Sequence, residues 1–184
     1  REQLGKLMPE LGIDLVLQGH DHVYMRTHSL DSNEVVSESK VNLKHNGEVY
    51  EAYVNPTGTS DAINGCSGVK IYNVKDVSLT DELFPRAAKA VDVDNQIFSS
   101  IQIDGGVLYF NAYTVDGDKV NCIDKFAIEK DGSGEKTDEP ADITVDVVVE
   151  EETDVLAMIL KYIKLVVTVV WNIFRMYVLE YLLK

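Results

Sequence analysis

Two Asp-Gly turn signals divide the stretch between Ile97 and Glu129 into three runs with strand character. The runs are Ile97–Ile103, Gly106–Ala112 and Cys122–Glu129. Asp104-Gly105 is a hairpin dipeptide, and Asp116-Gly117-Asp118 is a second turn. Strands joined by such short turns must pair with their chain neighbours in opposite directions. The stretch therefore predicts an antiparallel meander and a mostly β fold.

The first residues predict a helix that leads into a buried strand. Glu2–Leu11 carries apolar residues at 3/4 spacing, and Gly12 is a good helix stop. The short apolar run Ile13–Leu17 follows at once, and it suits a strand buried on both faces in a helix-covered sheet. Further predicted strands are Glu48–Val54 and Gly68–Asn73, with a hairpin turn at 44–47.

Charge divides the 184 residues into three parts. Residues 131–154 hold ten acids and one lysine around Gly132, Gly134 and Pro140, which predicts an acidic, flexible linker. Residues 1–130 before it form the globular portion, and residues 155–184 after it are mostly apolar. The whole chain has a formal charge of −14, the wrong sign for a protein that binds a phosphate backbone, so we expect no nucleic-acid partner.

Residues 155–184 predict an isolated apolar or amphipathic C-terminal helix. The longest charge-free run, Leu165–Phe174, is shorter than the roughly 20 residues of a membrane span. One narrow polar stripe interrupts an otherwise apolar circumference, so such a helix must bury most of its surface. Membrane contact or self-association is the favoured expectation, and docking on the globular portion is the alternative.

A pair of histidines follows the predicted strand in Gly19-His20-Asp21-His22. Residues two apart in an extended segment face the same side, and imidazole is a common ligand of zinc, iron and manganese. Gly19 would let the backbone turn sharply beside a metal. The competing interpretation is a turn with two solvated histidines. The remaining histidines, His28 and His45, are most simply exposed polar residues.

The residues around this pair resemble a known family motif. Ile13–Thr27 is similar to the last metal-binding motif of the calcineurin-like metallophosphoesterases, closest to the purple-acid-phosphatase-like branch with its pattern DLVLxGHxHxYxR. Tyr53–Tyr72 is similar to the strand–loop–strand that follows this motif, and Phe98–Lys130 is similar to the closing hairpins. The resemblance covers about residues 1–130, which correspond to the C-terminal part of that fold.

The resemblance implies a fold and a chemistry. The fold is of the α+β or α/β class, a helix-flanked β-sandwich with two metal ions (Fe, Zn or Mn) at the strand ends, which activate water to hydrolyse a phosphoester substrate. His20 would bind the second metal and His22 the first, while Asp21 occupies a variable position. Tyr24 and Arg26 also match the motif. Arg26 would either contact the substrate phosphate or, as we favour, brace the loop through an internal ion pair.

The sequence departs from the family because the upstream metal-binding motifs are absent. Two histidines without carboxylates do not assemble a two-metal centre. We therefore expect a parent protein that is a metallophosphoesterase and a chain that is inactive by itself. The alternative function is a non-catalytic, β-rich surface module held at a membrane or a partner by the C-terminal helix. Either function fits an extracellular or cell-surface protein, and phosphatases of this branch are often extracellular.

Two cysteines and a glycine-rich loop are less informative. Cys66 and Cys122 lack the spacing of a redox pair, and unpaired, largely buried thiols are the expectation; an extracellular protein would allow them to pair. The Gly/Ser-rich residues 57–68 lack the Gly-Lys-Ser/Thr of a phosphate-binding loop, so they predict a structural turn.

Overall fold

The computed structural model describes residues 2–74 and 83–141, and its regular structure is mostly β. In this part of the chain, the α-helix α1 (Glu2–Glu10) and a short 3₁₀ helix (Phe84–Arg86) accompany the strands. The strands are β1 (Leu15–Gln18), β2 (Tyr24–Thr27), β3 (Leu30–Asp31), β4 (Glu34–Val35), β5 (Lys40–His45), β6 (Glu48–Val54), β7 (Ser60–Asn64), β8 (Ala87–Val91), β9 (Gln96–Asp104), β10 (Val107–Asp116), β11 (Lys119–Glu129) and β12 (Glu135–Lys136). The predicted C-terminal helix and the later part of the acidic linker lie outside the described residues.

The larger sheet has six strands in the order β12-β5-β6-β11-β10-β9. It confirms the antiparallel meander, because β10 pairs with both β9 and β11 across the two Asp-Gly turns. It also confirms the hairpin at 44–47, where Asn46 and Gly47 have φ of 51° and 84° between β5 and β6. The parallel pair of β6 and β11 then joins the hairpin to the meander.

The smaller sheet has four strands in the order β1-β7-β2-β8. The predicted strand after α1 is present as β1, which pairs in parallel with β7. Its predicted burial on both faces is wrong, because β1 lies at the edge of this sheet and the side chain of Leu17 is 51% exposed. An edge strand meets a sheet neighbour on one side only, so an apolar sequence does not by itself guarantee burial.

The largest hydrophobic cluster contains residues from both sheets. Its members are Tyr24, Tyr53, Ala62, Val91, Ile97, Phe110, Ala112, Ile123, Phe126 and Ile128. Two further clusters are centred on Met25 and Ile63 in the smaller sheet and on Leu43 and Tyr109 in the larger one. Burial of these side chains supplies the main stabilisation of the fold, at about 25 cal/mol per Å² of apolar surface removed from water.

Helix α1 forms where its spacing predicts it, and Gly12 follows it with a φ of 70°. Its apolar residues are only partly covered, with Leu4 53% and Leu11 65% exposed. A backbone hydrogen bond from Ser32 to the carbonyl of Gly5 ties the helix to the β3–β4 turn. The helix is therefore held against the small β3–β4 hairpin with much of its apolar side facing outwards.

Two local predictions fail. Residues 68–73 form bends and irregular backbone instead of a strand. The hydrogen bond from Tyr72 N to the carbonyl of His22 does not belong to a strand ladder. His45 is not an exposed polar residue, because its side chain is 12% exposed and its ring stacks on Tyr109 at 3.9 Å. Both outcomes depend on contacts with residues far away in the chain.

The larger sheet continues into the acidic stretch after residue 130. Strand β12 pairs with β5 through Glu135 and Lys136, and Asn42 and Lys44 bond to Glu139. The beginning of the predicted flexible linker is therefore attached to the sheet edge. Within residues 2–74 and 83–141, no helix combines the length and the apolar character needed to cross a bilayer.

Candidate metal-ligand site after the first strand

The histidine pair lies in a bent connection between β1 and β2. His20 has a φ of 81°, whereas Gly19 does not have a positive φ. Positive φ is uncommon for residues other than glycine, although histidine tolerates it better than most, and such conformations concentrate at functional sites. The sharp turn expected at Gly19 therefore falls on His20. A Cβ atom added to Gly19 would meet nothing within 4 Å.

His20 lines a cleft of about 340 Å³. Its lining combines the apolar residues Leu4, Met8 and Val16 with the polar residues Gln18, Asp21 and Asp61. The amide of Gln18 donates to Asp61 Oδ1, which fixes the carboxylate on β7 against the end of β1. The backbone N–H of Asp61 donates in turn to Thr27 Oγ1 at 2.9 Å.

The ring of His22 is held by residues 70–72. Its Nδ1 lies 2.5 Å from the carbonyl oxygen of Lys70, and the ring stacks on Tyr72 with 4.7 Å between centroids and 18° between planes. A carbonyl oxygen only accepts hydrogen bonds, so Nδ1 must carry the proton in this contact. In the neutral ring, Nε2 then keeps its lone pair. A histidine that ligates a metal usually has this arrangement, with the second nitrogen donating to a carbonyl or carboxylate.

The two histidines have different surroundings. His20 lines the cleft beside α1, whereas His22 packs on Tyr72 and is not part of that lining. Alternation with a period of two requires extended backbone, and bends at residues 20, 21 and 23 interrupt this segment. The expectation that strand alternation orients both rings therefore does not apply to this segment. Their assignment as metal ligands stays a prediction.

Arg26 is buried between the two sheets, where it is paired with Asp124. Its Nε donates to Asp124 Oδ2 at 2.7 Å, and its Nη1 donates to the hydroxyl of Tyr53 at the same distance. The Tyr24 hydroxyl also donates to Asp124 Oδ2, at 2.7 Å. The guanidinium lies over the ring of Phe126, 4.3 Å from its centroid. Arg26 thus makes a buried internal ion pair with Asp124.

The surroundings of this cluster raise the pKa values of Arg26 and Tyr24. Burial lowers the pKa of Arg26, but the adjacent Asp124 carboxylate more than compensates, so the net pKa is raised and the guanidinium stays charged. Burial, followed by the Asp124 charge, raises the pKa of the Tyr24 hydroxyl well above 10.0. Asp124 was not singled out in the sequence, since it lies about a hundred positions from its partner within an ordinary strand pattern.

The other candidate residues do not join the histidine pair. His28 contacts Glu38, with 3.2 Å between Nδ1 and Oε2, and both cysteines are free and half-buried. Among the residues that the structure describes, no group of three or more His, Cys, Asp or Glu side chains is placed to hold a metal ion. The donors described here therefore fit individual ligands of a metal centre, and they do not form a complete centre.

Comparison with solved structures finds a purple acid phosphatase isolated from yellow lupin (Lupinus luteus) seeds. The TM-score is 0.43 and the sequence identity is 19%, over 72% of this chain and 20% of that chain. This chain thus spans about a fifth of the length of the lupin phosphatase. No protein-family model matches the sequence, and no curated protein matches it.

Sequence reasoning missed the residues that hold His22 and fix the cleft. Lys70 and Tyr72 lie in a segment assigned to a strand, and Gln18 and Asp61 carry no motif of their own. The sequence carries no signal that marks Tyr72 as a partner of His22. Only the folded chain shows that it stacks on a histidine 50 positions earlier.

Proposed function

We propose that this chain belongs to a metal-dependent phosphoesterase in which His20 and His22 are metal ligands. The observation that carries the proposal is the contact between His22 Nδ1 and the carbonyl of Lys70, which leaves Nε2 free to coordinate. It combines with the motif GHDHVYMR, whose histidine spacing and flanking residues resemble the last ligand motif of the calcineurin-like metallophosphoesterases. When bound, such metals would lower the pKa of a water molecule and polarise a phosphoester.

The two histidine rings differ in how well they are oriented to bind a metal. The ring of His22 is oriented without a metal, because it stacks on Tyr72 and its Nδ1 contacts the carbonyl of Lys70. His20 has a positive φ of 81° and lines the cleft, and neither a ring stack nor a backbone contact holds its ring in the described structure. We therefore infer that His22 is a pre-oriented ligand, and that the orientation of His20 depends on the turn in which it lies.

The chain alone is expected to be inactive as a phosphoesterase. Two imidazoles give too few ligands for two metal ions, which prefer sets that include carboxylates. Arg26 is not assigned to the substrate, because contact with a phosphate would require it to leave Asp124 and Tyr53. Breaking a buried pair of this kind is strongly unfavourable, by about 3–5 kcal/mol.

Zinc titration followed by NMR of ¹⁵N-labelled imidazoles tests the proposal in the full chain. Before zinc is added, His22 should show a protonated Nδ1 and an unprotonated Nε2. Zinc should then perturb His22 Nε2 and His20 at concentrations about tenfold or more below those that perturb His28 and His45, in line with the effect of supporting contacts on metal affinity.

Matched variants define the outcomes. His22→Ala should abolish the response at His20 at low zinc, and His28→Ala should leave it unchanged. The proposal is wrong if zinc perturbs all four histidines alike, or if His22→Ala has no effect. A separate assay with an aryl phosphate and Mn, Fe or Zn should give no metal-dependent turnover, and clear turnover would contradict the expected inactivity.

A further inference from the structure

Strand β9 is an open edge of the larger sheet. It pairs with β10 on one side, and no other strand within residues 2–74 and 83–141 pairs with its second side. Apolar side chains remain accessible along it, with Ile101 42% and Ile103 71% exposed. Proteins usually protect such edges with charges, prolines or bulges. Residues 96–103 contain no charge and no proline, and the β9–β10 register has no shift.

In β9, the backbone N–H and C=O groups of every second residue point towards this open side. The N–H of Ile97 donates to the carbonyl of Cys66, away from β10. In an antiparallel pair, bonded and non-bonded residues alternate, so the N–H and C=O groups of Ser99, Ile101 and Ile103 also point away from β10. The loop around Cys66 covers the open side at Ile97, and the hydroxyl of Ser99 donates to Asn64 Oδ1 on β7 at 3.1 Å. The outward-facing backbone groups of Ser99, Ile101 and Ile103 have no strand partner within the described residues.

We propose that β9 is a self-association edge, at which β9 of a second copy of this chain pairs antiparallel about a two-fold axis through Ile101. In this register Ile101 lies opposite its own copy, and Ser99 lies opposite Ile103 of the second copy. Each of these three pairings exchanges two backbone hydrogen bonds, because all the residues in them face outwards. The register therefore uses the outward-facing backbone groups of Ser99, Ile101 and Ile103.

Side chains and neighbouring segments also favour this register. Asp104, the one charged residue of β9, falls opposite Phe98 of the second copy, so no acid faces another acid. The second strand ends at its own Asp104-Gly105 turn, next to the position where the loop at Cys66 already covers Ile97. Ile101 and Ile103, which share a strand face with the buried Ile97, would cover one another across the axis.

Disulfide trapping in the full chain tests both the interface and its register. In a background with Cys66→Ser and Cys122→Ser, Ile101→Cys should oxidise to a covalent dimer, because directly opposed residues have Cα atoms about 5.5 Å apart. Ile103→Cys is the matched control, since its two copies would be about 14 Å apart along the strands. We expect at least about tenfold more covalent dimer from Ile101→Cys, as only its Cα spacing permits a disulfide.

A charge substitution provides a second readout by sedimentation. Ile101→Lys places two ammonium groups opposite each other and should raise the dissociation constant at least about tenfold, as like charges directly opposed destabilise strand pairs. Val120→Lys, at an exposed position on β11, should leave association unchanged. The proposal is overturned if the chain is monomeric at all concentrations, if crosslinking is equal at 101 and 103, or if Ile101→Lys associates like the unsubstituted chain.

Discussion

The guanidinium of Arg26 on β2 and the carboxylate of Asp124 on β11 form an ion pair that joins the two sheets, with 2.7 Å between Nε and Oδ2. Both side chains are almost fully buried, at 7% and 3% exposure. Tyr24 and Tyr53 complete the hydrogen bonds of the pair. Charges in such a position are costly to desolvate, so their effect on stability depends on whether both partners are present.

Removal of Asp124 should destabilise the fold strongly. Asp124→Ala leaves the Arg26 charge buried without its counterion, and we expect a loss of about 3–5 kcal/mol in the free energy of unfolding. The double variant Arg26→Met with Asp124→Leu removes both charges and should lose less than Asp124→Ala alone. Urea denaturation followed by fluorescence measures both values. A loss below about 1 kcal/mol for Asp124→Ala would contradict the buried-pair interpretation.

Glu38 should make stability depend on pH in the acid range. Burial raises the pKa of Glu38, but hydrogen bonds from the Ser29 N–H and His28, together with the Lys40 charge, outweigh this and lower it below 4.5. A lowered folded-state pKa contributes stability that is present above about 4.5 and is lost as the pH falls through the folded-state value. Glu38→Gln should therefore destabilise the protein at pH 7 by about 1 kcal/mol and have a smaller effect at pH 3.

Glu139→Gln is the matched control for Glu38. Glu139 also pairs with a lysine, Lys44, but its side chain is 58% exposed, so the substitution should cost less than about 0.5 kcal/mol at either pH. Denaturation curves at the two pH values give the comparison. Equal behaviour of the two variants would show that Glu38 gains nothing from its enclosed position.

Two glycine substitutions should differ in their effect on the free energy of unfolding. Gly19→Ala adds a Cβ that meets nothing within 4 Å, so its effect on unfolding should lie within about 0.5 kcal/mol. Gly58→Ala adds a Cβ 2.6 Å from the carbonyl oxygen of Leu30, which is backbone, and should cost about 1–3 kcal/mol. Thermal unfolding measures both. If Gly19→Ala unfolds the chain as readily as Gly58→Ala, the turn at His20 differs from the one described.

Cys122 should react slowly with thiol reagents in the folded protein. Burial raises the pKa of its thiol, so the reactive thiolate is scarce, and Sγ donates to the carbonyl of Asp124 at 3.4 Å. In a Cys66→Ser background, Ellman's reagent at pH 8 should modify Cys122 at least about tenfold more slowly than after denaturation. Equal rates in the two states would show that the thiol is not enclosed.

Local patterns predicted the parts of this fold that local physics determines. The meander from β9 to β11 follows from two Asp-Gly turns and alternating strand residues, and α1 follows from its 3/4 spacing and Gly12. The hairpin at Asn46-Gly47 belongs to the same class. In each element, the residues that specify the structure are neighbours in the sequence.

Long-range contacts explain what the sequence patterns missed. The edge position of β1 depends on how β7 and β2 are arranged beside it, and the burial of His45 depends on Tyr109. In the candidate site, the histidine motif predicts His20 and His22 as metal ligands, but Lys70 and Tyr72 could not be assigned because their partner is a single ring distant in the chain. Such partners carry no periodicity of their own.

The position of β11 between β6 and β10 fixes the order in which this sheet can assemble. Its residues are synthesised after both neighbours, and Phe126 must reach Glu51 to close the parallel pair. Before β11 has left the ribosome, the nascent chain therefore contains the β5–β6 and β9–β10 strand pairs without the strand that joins them. Pairing of strands so distant in the sequence is slow, and unpaired strand edges in the intermediate are prone to aggregation.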